Sequence, residues 1–338
     1  MKTAVFIGRF QPPHLAHLET IIHALERFDR LIVVLGSAYG YPTPKNPFSA
    51  EVREAMIRAS LGADAARLQF VAIADDYYND PRWFRSVRTA VEALAGPGAR
   101  IAITGYDKDE SSYYLHGFGD WPFEPSGVVS PLNATDVRNS YFGGSADWKA
   151  MVPEAVRQHM EQFAATAEFK RLQDEWRTIQ HYRALERSYP YPILHVATDA
   201  FVLAQEQVLL VERKGTLGQG AWALPGGYVE PRETLLASAL RALREETGLA
   251  LQAQHLKATQ AFDYPGRSLR GRVISLGHFF DLGNTPPPAV QGQDAFWLPL
   301  AELERHQARF FEDHYQQICW FLGRAPHQPA LSQGKEPK

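Results

Sequence analysis

The fold of the first half of the chain is decided by the stretch Gly8-Arg9-Phe10-Gln11-Pro12-Pro13-His14-Leu15-Ala16-His17. Residues 4–7, directly before it, are mostly β-branched or aromatic and predict a buried strand. Apolar residues follow at helical spacing from Leu18 to Leu25, so the stretch is predicted to be a strand-to-helix turn. Its glycine allows a ligand to approach the backbone closely, and its two prolines stiffen the loop.

The side chains of this turn are suited to a polyphosphate. His14 and His17 lie three residues apart at the predicted helix start, so both imidazoles can face one ligand. The free N–H groups and the positive dipole end of the helix favour an anion, and Arg9 adds a planar fork for phosphate oxygens. An ordinary surface turn with incidental histidines is the alternative. The coincidence of strand, Gly-Arg pair, double proline and helix start argues against it.

The bulk composition is that of a soluble globular protein with two domains. The chain has 338 residues, of which 45% are hydrophobic and 22% are charged. A net charge of −3 argues against a nucleic-acid partner, and the single cysteine, Cys319, excludes an intramolecular disulfide and a thiolate zinc cage. No signal peptide or membrane-spanning apolar run is recognised, so we expect a cytoplasmic protein without a membrane partner. Whether the chain forms a homo-oligomer is left open by the sequence.

Strands alternate with helices in the first half. Further apolar runs at residues 31–36, 68–73 and 101–105 predict strands, and Ser49 is expected to cap one of the helices between them. This alternation implies a doubly wound, Rossmann-like α/β sheet, whose ligand site lies beyond the carboxyl ends of the strands. The loops expected at that edge, besides the first, are residues 37–47, 75–83 and 105–109.

The loop 75–83 mixes aromatic rings with amides and carboxylates. Its tyrosines and Trp83 are candidates to stack on a heteroaromatic ring, and Asn79 is a candidate to pair with a carboxamide. The alternative is a polar turn with Trp83 packed in the core.

A second phosphate-binding element is predicted at residues 132–138, which have the pattern of a helix N-terminus. Thr135 and the amides after it can hold a phosphate, and Arg138, three residues on, can reach the same group. The alternative is that this pattern is only an ordinary helix N-cap without a ligand.

These motifs carry a family resemblance. The opening stretch resembles the Gly-x-Phe-x-Pro-x-His-x-Gly-His signature of the nucleotidylyltransferase superfamily, with Ala16 in the place of the usual glycine. Together with residues 46–48, 104–109 and 133–138 and the 75–83 loop, it resembles the archaeal-type nicotinamide mononucleotide (NMN) adenylyltransferases. The resemblance implies transfer of AMP from ATP to NMN, with Mg²⁺, to give NAD and pyrophosphate. A related transferase for another acceptor, such as pantetheine phosphate, is the alternative.

The resemblance also implies roles for individual residues. It assigns the ATP phosphates and catalysis to His14, His17, Arg9 and Arg138. No residue need become a nucleophile, because positioning and charge neutralisation suffice. The residues implied in ATP binding are Gly8, Phe10, Gly105, Asp107, Asn133 and Thr135, and those implied in NMN binding are Tyr78, Asn79 and Trp83.

The first domain is predicted to end in a helical connector. Residues 156–187 are polar with apolar residues three or four apart, and Tyr189-Pro190-Tyr191-Pro192 stops the helix. We place a first domain at residues 1–188, a second at 189–325, and a tail rich in Pro, Gln and Lys at 326–338 that is expected to be disordered.

The second half contains Gly227-x5-Glu233-x7-Arg241-Ala242-Leu243-Arg244-Glu245-Glu246-Thr247-Gly248-Leu249. This resembles the Nudix box, Gly-x5-Glu-x7-Arg-Glu-U-x-Glu-Glu-x-Gly-U, with U a bulky aliphatic residue. The resemblance implies an α/β/α Nudix domain with a mixed sheet, supported by Gly227, Glu233 and Arg241. Clustered carboxylates on one helix face repel one another without a cation, so Glu245 and Glu246 are predicted to bind Mg²⁺ or Mn²⁺.

One position departs from the box, because Ala242 replaces a glutamate that ligates metal or acts as a base. Helical spacing predicts that residue 242 shares the face of Glu245 and Glu246. A base supplied from outside the box is the remaining source, and the candidates are Glu230, Asp294 and a C-terminal acid.

Residues 262–275 resemble a loop and strand of ADP-ribose-processing Nudix proteins, with Pro265 sixteen residues after Leu249. Arg267, Arg270 and Arg272 are candidates to meet the substrate diphosphate, and Arg267 and Arg272 are favoured. The favoured function of this half is therefore hydrolysis of ADP-ribose to AMP and ribose 5-phosphate. The alternative is a ligand-sensing or structural module that has lost turnover. The whole chain resembles bifunctional adenylyltransferase/Nudix proteins.

Overall fold

In the computed structural model of the chain, the described residues are 2–107, 114–127, 130–291 and 294–328. Lys108 and Asp109 of the predicted site loop, and residues 329–338 of the predicted tail, lie outside them. The chain groups into two compact units. The first unit comprises Met1–Asp75, Asn79–Gln173 and Gln328–Lys338, and the second comprises Asp76–Tyr78 and Asp174–His327.

The first unit contains a parallel sheet of five strands. In chain order they are β1 (Lys2–Gly8), β2 (Arg30–Leu35), β3 (Leu68–Ala72), β4 (Arg100–Gly105) and β5 (Phe123–Pro125), and their spatial order is β3-β2-β1-β4-β5. Its α-helices are α1 (Leu15–Arg27), α2 (Ala50–Leu61), α3 (Asp80–Ala95), α4 (Ala134–Gly143) and α5 (Glu154–Ala164), and short 3-10 helices cover Gly62–Arg67 and Asp147–Ala150. A further helix, α6 (Ala167–Arg187), begins in this unit and continues into the second.

The apolar run of β1 is buried on both faces of the sheet. Ala4 and Phe6 pack in the cluster that contains the apolar faces of α1 and α2, whereas Val5 and Ile7 pack in the cluster that contains the apolar face of α3. Helices on both faces explain why the central strands are continuously apolar rather than alternating. The parallel register aligns Gly8 with Leu35, so the loops after β1 and β2 leave the sheet at one edge. The predicted doubly wound α/β fold is confirmed.

The loop 75–83 is shorter than the sequence suggests, because α3 begins inside it. The Asn79 side chain caps this helix by accepting a hydrogen bond from the backbone N–H of Arg82 at 3.0 Å, and Pro81 occupies its first turn, where no N–H is needed. Trp83 therefore lies on the first turn of a helix. The short strand β5 was not predicted, since three residues carry too little periodicity to be recognised.

The second unit contains a mixed sheet. Its strands are β6 (Leu194–Ala204), β7 (Gln207–Glu212), β8 (Trp222–Ala223), β9 (Gly226–Tyr228), β10 (Leu256–Phe262), β11 (Arg272–Asp281) and β12 (Ala295–Pro299). The main order is β10-β11-β6-β7-β12, with β8 paired to β7 and β9 to β6. Only the β6–β11 pair is parallel among these described strands. The α-helices are α7 (Leu235–Thr247) and α8 (His314–Phe321), and 3-10 helices cover Ala253–His255 and Gln307–Arg309.

The two helices of this unit cover opposite faces of its sheet. Ala200 and Val202 of β6 pack in the cluster of Leu243 from α7, whereas Phe201 packs in the cluster of Ile318 from α8. The predicted α/β/α architecture with a mixed sheet is confirmed.

The division into units falls inside α6, between Gln173 and Asp174, whereas the sequence places the domain boundary near Ser188. Helix α6 continues without a break through the point where the units divide, so its sequence gives no signal there. Among the described helices, none combines the length and the apolar character needed to cross a membrane.

Candidate active sites

A cavity of about 400 Å³ opens in the first unit at the carboxyl edge of the sheet. It collects the turn after β1, the end of β4 and the start of α4, which are remote in sequence. All four predicted catalytic residues line it. The predicted residues in its wall are Gly8, Arg9, Phe10, His14, His17, Gly105, Asn133, Thr135 and Arg138.

Side-chain hydrogen bonds from distant residues pin the turn that forms this wall. The Gln11 side chain is buried, and it donates to the carbonyl of Phe48 at 2.8 Å while accepting from the N–H of Phe48 at 3.0 Å. Arg138 donates to the carbonyl of Gln11 at 2.6 Å and to the hydroxyl of Thr135 at 3.2 Å. The sequence identified Arg138 as a phosphate ligand, and the structure adds that it ties the turn to α4.

The two histidines of the turn stack on each other, with ring centroids 3.6 Å apart. The backbone N–H of His14 donates to Nδ1 of His17 at 3.2 Å. Neutral His17 must then carry its proton on Nε2, because the other ring nitrogen acts as an acceptor. His14 is 5% exposed, and its Nδ1 has no hydrogen-bond partner among the described residues. The pair therefore has ring nitrogens available to a ligand.

Both imidazoles are neutral at neutral pH. Burial, helped by the nearby charge of Arg138, lowers the pKa of His14 to about 4. Burial and the neighbouring His14 hold the pKa of His17 well below its ordinary value. In the free protein they are neutral hydrogen-bonding groups, so the positive charge of the site comes from arginine rather than from imidazolium.

The remaining predicted ATP-binding residues surround the histidines. Arg9 is exposed and lines the cavity, and its guanidinium has no hydrogen bond or ion pair with any described residue. Asn133 is the N-cap of α4 and accepts from the N–H of Asp136 at 3.0 Å. Asp107 lies outside the cavity wall, and one of its carboxylate oxygens lies 3.1 Å from Nε2 of His116.

The predicted NMN-binding residues do not line this cavity. Trp83 is half-buried and packs edge-on against Phe84, with ring centroids 5.2 Å apart. The carbonyl oxygen of Asn79 is used as the helix cap. Tyr78 belongs to the second unit, where its hydroxyl donates to Asp313.

The second unit has its own cavity, of about 550 Å³, beside the predicted Nudix helix. Its wall is rich in charge of both signs. The charged residues that line it are Asp199, Glu212, Arg213, Lys214, Glu245, Glu246, Arg267, Arg270, Asp294 and Glu312.

A structural clasp, whose central pair of Arg241 and Glu233 lies outside this cavity, holds the Nudix motif together. The guanidinium of Arg241 donates to both carboxylate oxygens of Glu233, at 2.7 and 2.9 Å, and to Glu245 at 3.1 Å. The bidentate pair lowers the pKa of Glu233 to about 2. Glu233 also accepts from the N–H of Glu230, so the loop before α7 is fastened to the helix. Gly227 has room for a side chain, but at Gly226 an added Cβ would lie 2.4 Å from the carbonyl of Thr198.

The chemistry of Glu246 fits a divalent cation. Its carboxylate accepts from the N–H of Gly226 at 3.0 Å and forms no ion pair with a described residue. Although Glu246 faces the open cavity, the protein around its carboxyl group desolvates it and, with Asp199 and Glu245, raises its pKa. Across the described residues no three suitable ligands are gathered as a metal cluster. An ion bound by one or two carboxylates, water and substrate phosphates is the arrangement that Mg²⁺ prefers.

Residue 242 lies elsewhere than predicted. Ala242 is 4% exposed and does not line the cavity, whereas Glu245 and Glu246 are exposed. The reason is the close packing of α7 on β6 and β9: Ser238 and Ala239 are also buried, and Ser238 bonds to Thr198 of β6. These small residues let helix and sheet approach, so the expectation that 242 shares the carboxylate face is wrong.

Two of the arginines predicted to meet the diphosphate, Arg267 and Arg270, line this cavity, and both are paired with carboxylates. Arg267 is 4% exposed, and Asp313 pairs with its guanidinium through two bonds of 2.7 and 2.9 Å. Arg272 donates to the carbonyl of Asp263 and does not line the cavity. Arg213, in contrast, packs over the ring of Phe311 at 3.9 Å and has no ion pair with a described carboxylate. Sequence reasoning missed Arg213, because a single arginine after a strand carries no distinguishing pattern.

A C-terminal acid does reach the cavity. Glu312 has a φ of 45°, an uncommon backbone conformation for a residue with a side chain, and its carboxylate accepts from Ser268 at 2.6 Å and from Arg270 at 3.3 Å. Asp294 also lines the cavity but pairs with Lys214. Glu230 does not line it.

These two folds and cavities place the chain in two known classes. Residues 5–95 match the family model described as cytidylyltransferase-like, and residues 193–321 match the model described as the NUDIX domain. A nicotinamide/nicotinic acid mononucleotide adenylyltransferase of Acinetobacter baylyi is 41% identical over 175 residues, which cover 51% of this chain and 92% of that protein.

The crystal structure of a bifunctional NMN adenylyltransferase/ADP ribose pyrophosphatase from Francisella tularensis matches both units together. It superimposes with a TM-score of 0.89 at 32% identity and covers 95% of this chain and 98% of its own. A second structure of a protein so described, from the same organism, contains AMP and a Mn ion and matches with a TM-score of 0.88. The chain therefore belongs to the family of bifunctional NMN adenylyltransferase/Nudix proteins, as its motifs predicted.

The burial of His14 predicts a pH dependence. Its pKa is 6.5 in the unfolded chain and about 4 in the fold, so the unfolded chain takes up a proton first as the pH falls. The contribution of His14 to the free energy of unfolding is therefore complete above pH 6.5 and is lost as the pH falls toward about 4. Between about pH 7 and about pH 5 the loss should be about 2 kcal/mol. Urea unfolding at the two pH values should show this loss, and His14→Gln should reduce it. A histidine NMR titration that finds His14 near its ordinary pKa would contradict the prediction.

The burial of Ala242 predicts that restoring the box glutamate has a cost. Ala242→Glu forces a carboxylate between α7 and the sheet, and it should destabilise the protein by about 2 kcal/mol or more. Ala237→Glu is the matched control, since Ala237 is exposed on the same helix. Thermal unfolding of both variants tests the difference. Equal stability of the two would mean that a side chain at 242 escapes from the helix–sheet contact.

Proposed function

We propose that the first unit transfers AMP from ATP to nicotinamide mononucleotide and forms NAD and pyrophosphate. The observation that carries this proposal is the meeting of Arg9, His14, His17 and Arg138 with the N-terminus of α4 in one cavity. Family membership supports the choice of acceptor, and it argues against the pantetheine phosphate alternative.

The reaction needs no protein nucleophile. A phosphate oxygen of NMN attacks the α-phosphorus of ATP, a new P–O bond forms, the bond to the bridging oxygen breaks, and pyrophosphate leaves with the electron pair. The chain's own groups would hold the reacting phosphates: Nε2–H of His17 would donate a hydrogen bond, and the guanidinium of Arg9, which pairs with no described residue, would bind phosphate oxygens. A bound Mg²⁺ supplies further charge neutralisation on the triphosphate.

Recognition of the nicotinamide ring by Asn79 and Trp83 stays a proposal. Asn79 uses its carbonyl oxygen as the cap of α3, which leaves its NH₂ group as the donor for a carboxamide oxygen. The half-buried ring of Trp83 is held edge-on by Phe84, as a stacking surface requires. A role of Tyr78 at this site has less support, because its hydroxyl is engaged by Asp313.

His17→Ala is expected to lower NAD formation by about 10²-fold, the usual loss for one preorganised charge-stabilising donor. His23→Ala is the matched control, because His23 lies on the same helix but not in the cavity wall. The rate of NAD formation from ATP and NMN measures both. A His17 variant with the activity of the control would remove the histidine pair from the mechanism.

We propose further that the second unit binds ADP-ribose and hydrolyses its diphosphate to AMP and ribose 5-phosphate. The observation that carries this proposal is one cavity with both signs of charge. Arg213 offers a cation to the diphosphate, and Glu246 with Asp199 offers oxygens to Mg²⁺ or Mn²⁺. The Francisella tularensis structure with AMP and a Mn ion supports this pairing of nucleotide and metal.

Water has to be activated without the box glutamate. Glu312 is the acid best placed for this, since it lines the cavity from outside the motif and its backbone is held in an uncommon conformation. Its bonds to Ser268 and Arg270 fix the carboxylate in place. The second candidate function is ligand sensing without turnover, and Ala242 is the observation that favours it.

ADP-ribose incubated with the protein and Mn²⁺ is expected to yield AMP. Glu246→Gln should abolish that activity, and Arg213→Gln should raise KM for ADP-ribose by about 10-fold, as for loss of one charge-assisted contact. Arg244→Gln is the control, because Arg244 is exposed on α7 outside the cavity. Tight binding of ADP-ribose without any AMP would favour the sensing function. If the protein neither binds ADP-ribose nor yields AMP, the hydrolytic function and the sensing function are both contradicted.

A further inference from the structure

Arg53 is the largest fully buried side chain that carries a charge, with 1% of its surface exposed. Its Nη1 donates to the carbonyl of Arg9 at 2.6 Å and to the carbonyl of Gly36 at 2.8 Å, and its Nε donates to the carbonyl of Ser49 at 3.1 Å. One guanidinium thereby joins the loop after β1, the loop after β2 and the cap of α2. It lies behind the first cavity and does not line it.

A cation at this position is costly. Arg53 lies in the first turn of α2, where the helix dipole disfavours positive charge, and burial lowers its pKa to about 10. The other buried residues of the helix are Ala50, Met56 and Ile57, so helical spacing favours an apolar side chain at 53. Such a conflict between local preference and the residue present is typical of functional positions.

The residue that benefits from this bond is Arg9. Its side chain is exposed in the cavity and has no hydrogen bond or ion pair among the described residues, so within the described part of the chain its backbone conformation sets its direction. Phe10, next in the chain, has a φ of 50° and is 1% exposed, and its ring would lie 3.0 Å from a Cβ at Gly8. The hydrogen bond from Arg53 to the Arg9 carbonyl therefore fixes the peptide group that joins Arg9 to Phe10, a tightly packed residue with a left-handed backbone conformation.

We propose that Arg53 is a positioning residue for adenylyl transfer, which acts by holding the backbone of Arg9 so that the Arg9 guanidinium meets the ATP phosphates. This inference rests on the proposed function of the first unit. It separates Arg53 from the groups that touch substrate, because Arg53 does not line the cavity and its hydrogen bonds to described residues all go to backbone carbonyls. Its loss should weaken ATP binding through Arg9 and leave NMN binding nearly unchanged.

The test compares Arg53→Met and Arg53→Lys with Arg67→Met. Arg67 is the matched control, because it also donates to three backbone carbonyls, those of Leu25, Phe28 and Asp29, but next to the amino end of β3, away from the cavity. Steady-state KM values for ATP and NMN are measured for each variant, together with the thermal unfolding midpoint. Arg53→Lys keeps the charge without the planar fork, so it provides a folded variant if Arg53→Met does not fold.

We expect Arg53→Met to raise KM for ATP by about 10-fold, with Arg53→Lys between it and the wild type, and the KM for NMN to change by less than about 2-fold. Arg67→Met should lower the unfolding midpoint with both KM values unchanged. The decisive measurement is a double-mutant cycle: in an Arg9→Ala background, Arg53→Met or Arg53→Lys should change the KM for ATP by less than about 2-fold, because the residue they position is gone.

An equal effect of the Arg53 variants with and without Arg9, or equal rises in the two KM values, would overturn the positioning role. So would an ATP effect of Arg67→Met that matches that of Arg53→Met. A wild-type protein that forms no NAD from ATP and NMN would instead overturn the proposed function, so the two failures are distinguishable.

Discussion

Hydrogen bonds from arginine to backbone carbonyls hold the phosphate-binding turn on which the first unit depends. The turn after β1 has no regular ladder of its own, yet its peptide groups must be satisfied where they are buried. Arg53 takes the carbonyl of Arg9 and Arg138 takes that of Gln11. Because both donors come from other helices, the turn is fixed by the fold rather than by the ligand. Preorganisation of this kind avoids reordering of the site when the substrate binds.

The two cavities differ in the charged groups that they present to a nucleotide. In the first, the histidines are held neutral by burial, and the charge available to a ligand is that of Arg9. Neutral imidazoles at this point spare the free protein a repulsion between stacked cations. In the second, neither Glu246 nor the neighbouring Arg213 forms an ion pair with a described residue. A diphosphate together with a metal ion would satisfy both at once.

Short-range features were predictable from the sequence, and long-range pairings were not. The strand, turn and helix start at residues 4–25 and the Glu233–Arg241 clasp of the Nudix motif depend on spacing within a few turns of chain, which a sequence displays directly. Arg267 was predicted to be a substrate ligand because its ion-pair partner, Asp313, lies 46 residues away in the sequence. The residues around Arg267 give no indication of this pairing. Ala242 was assigned to the wrong face because periodicity defines faces of a helix but not how closely a sheet approaches one of them.

Uncompensated charge is therefore a better criterion for a ligand contact than charge itself. Arg267 and Arg213 are both arginines in the wall of one cavity, and the sequence gives no reason to prefer the second. The structure does, because Asp313 neutralises Arg267 through two short bonds, while no described carboxylate pairs with Arg213. The same reasoning separates Arg9 from Arg53 in the first unit. Among the described residues, Arg53 bonds to three backbone carbonyls and the Arg9 side chain bonds to none, so one builds the site and the other is left for the phosphate.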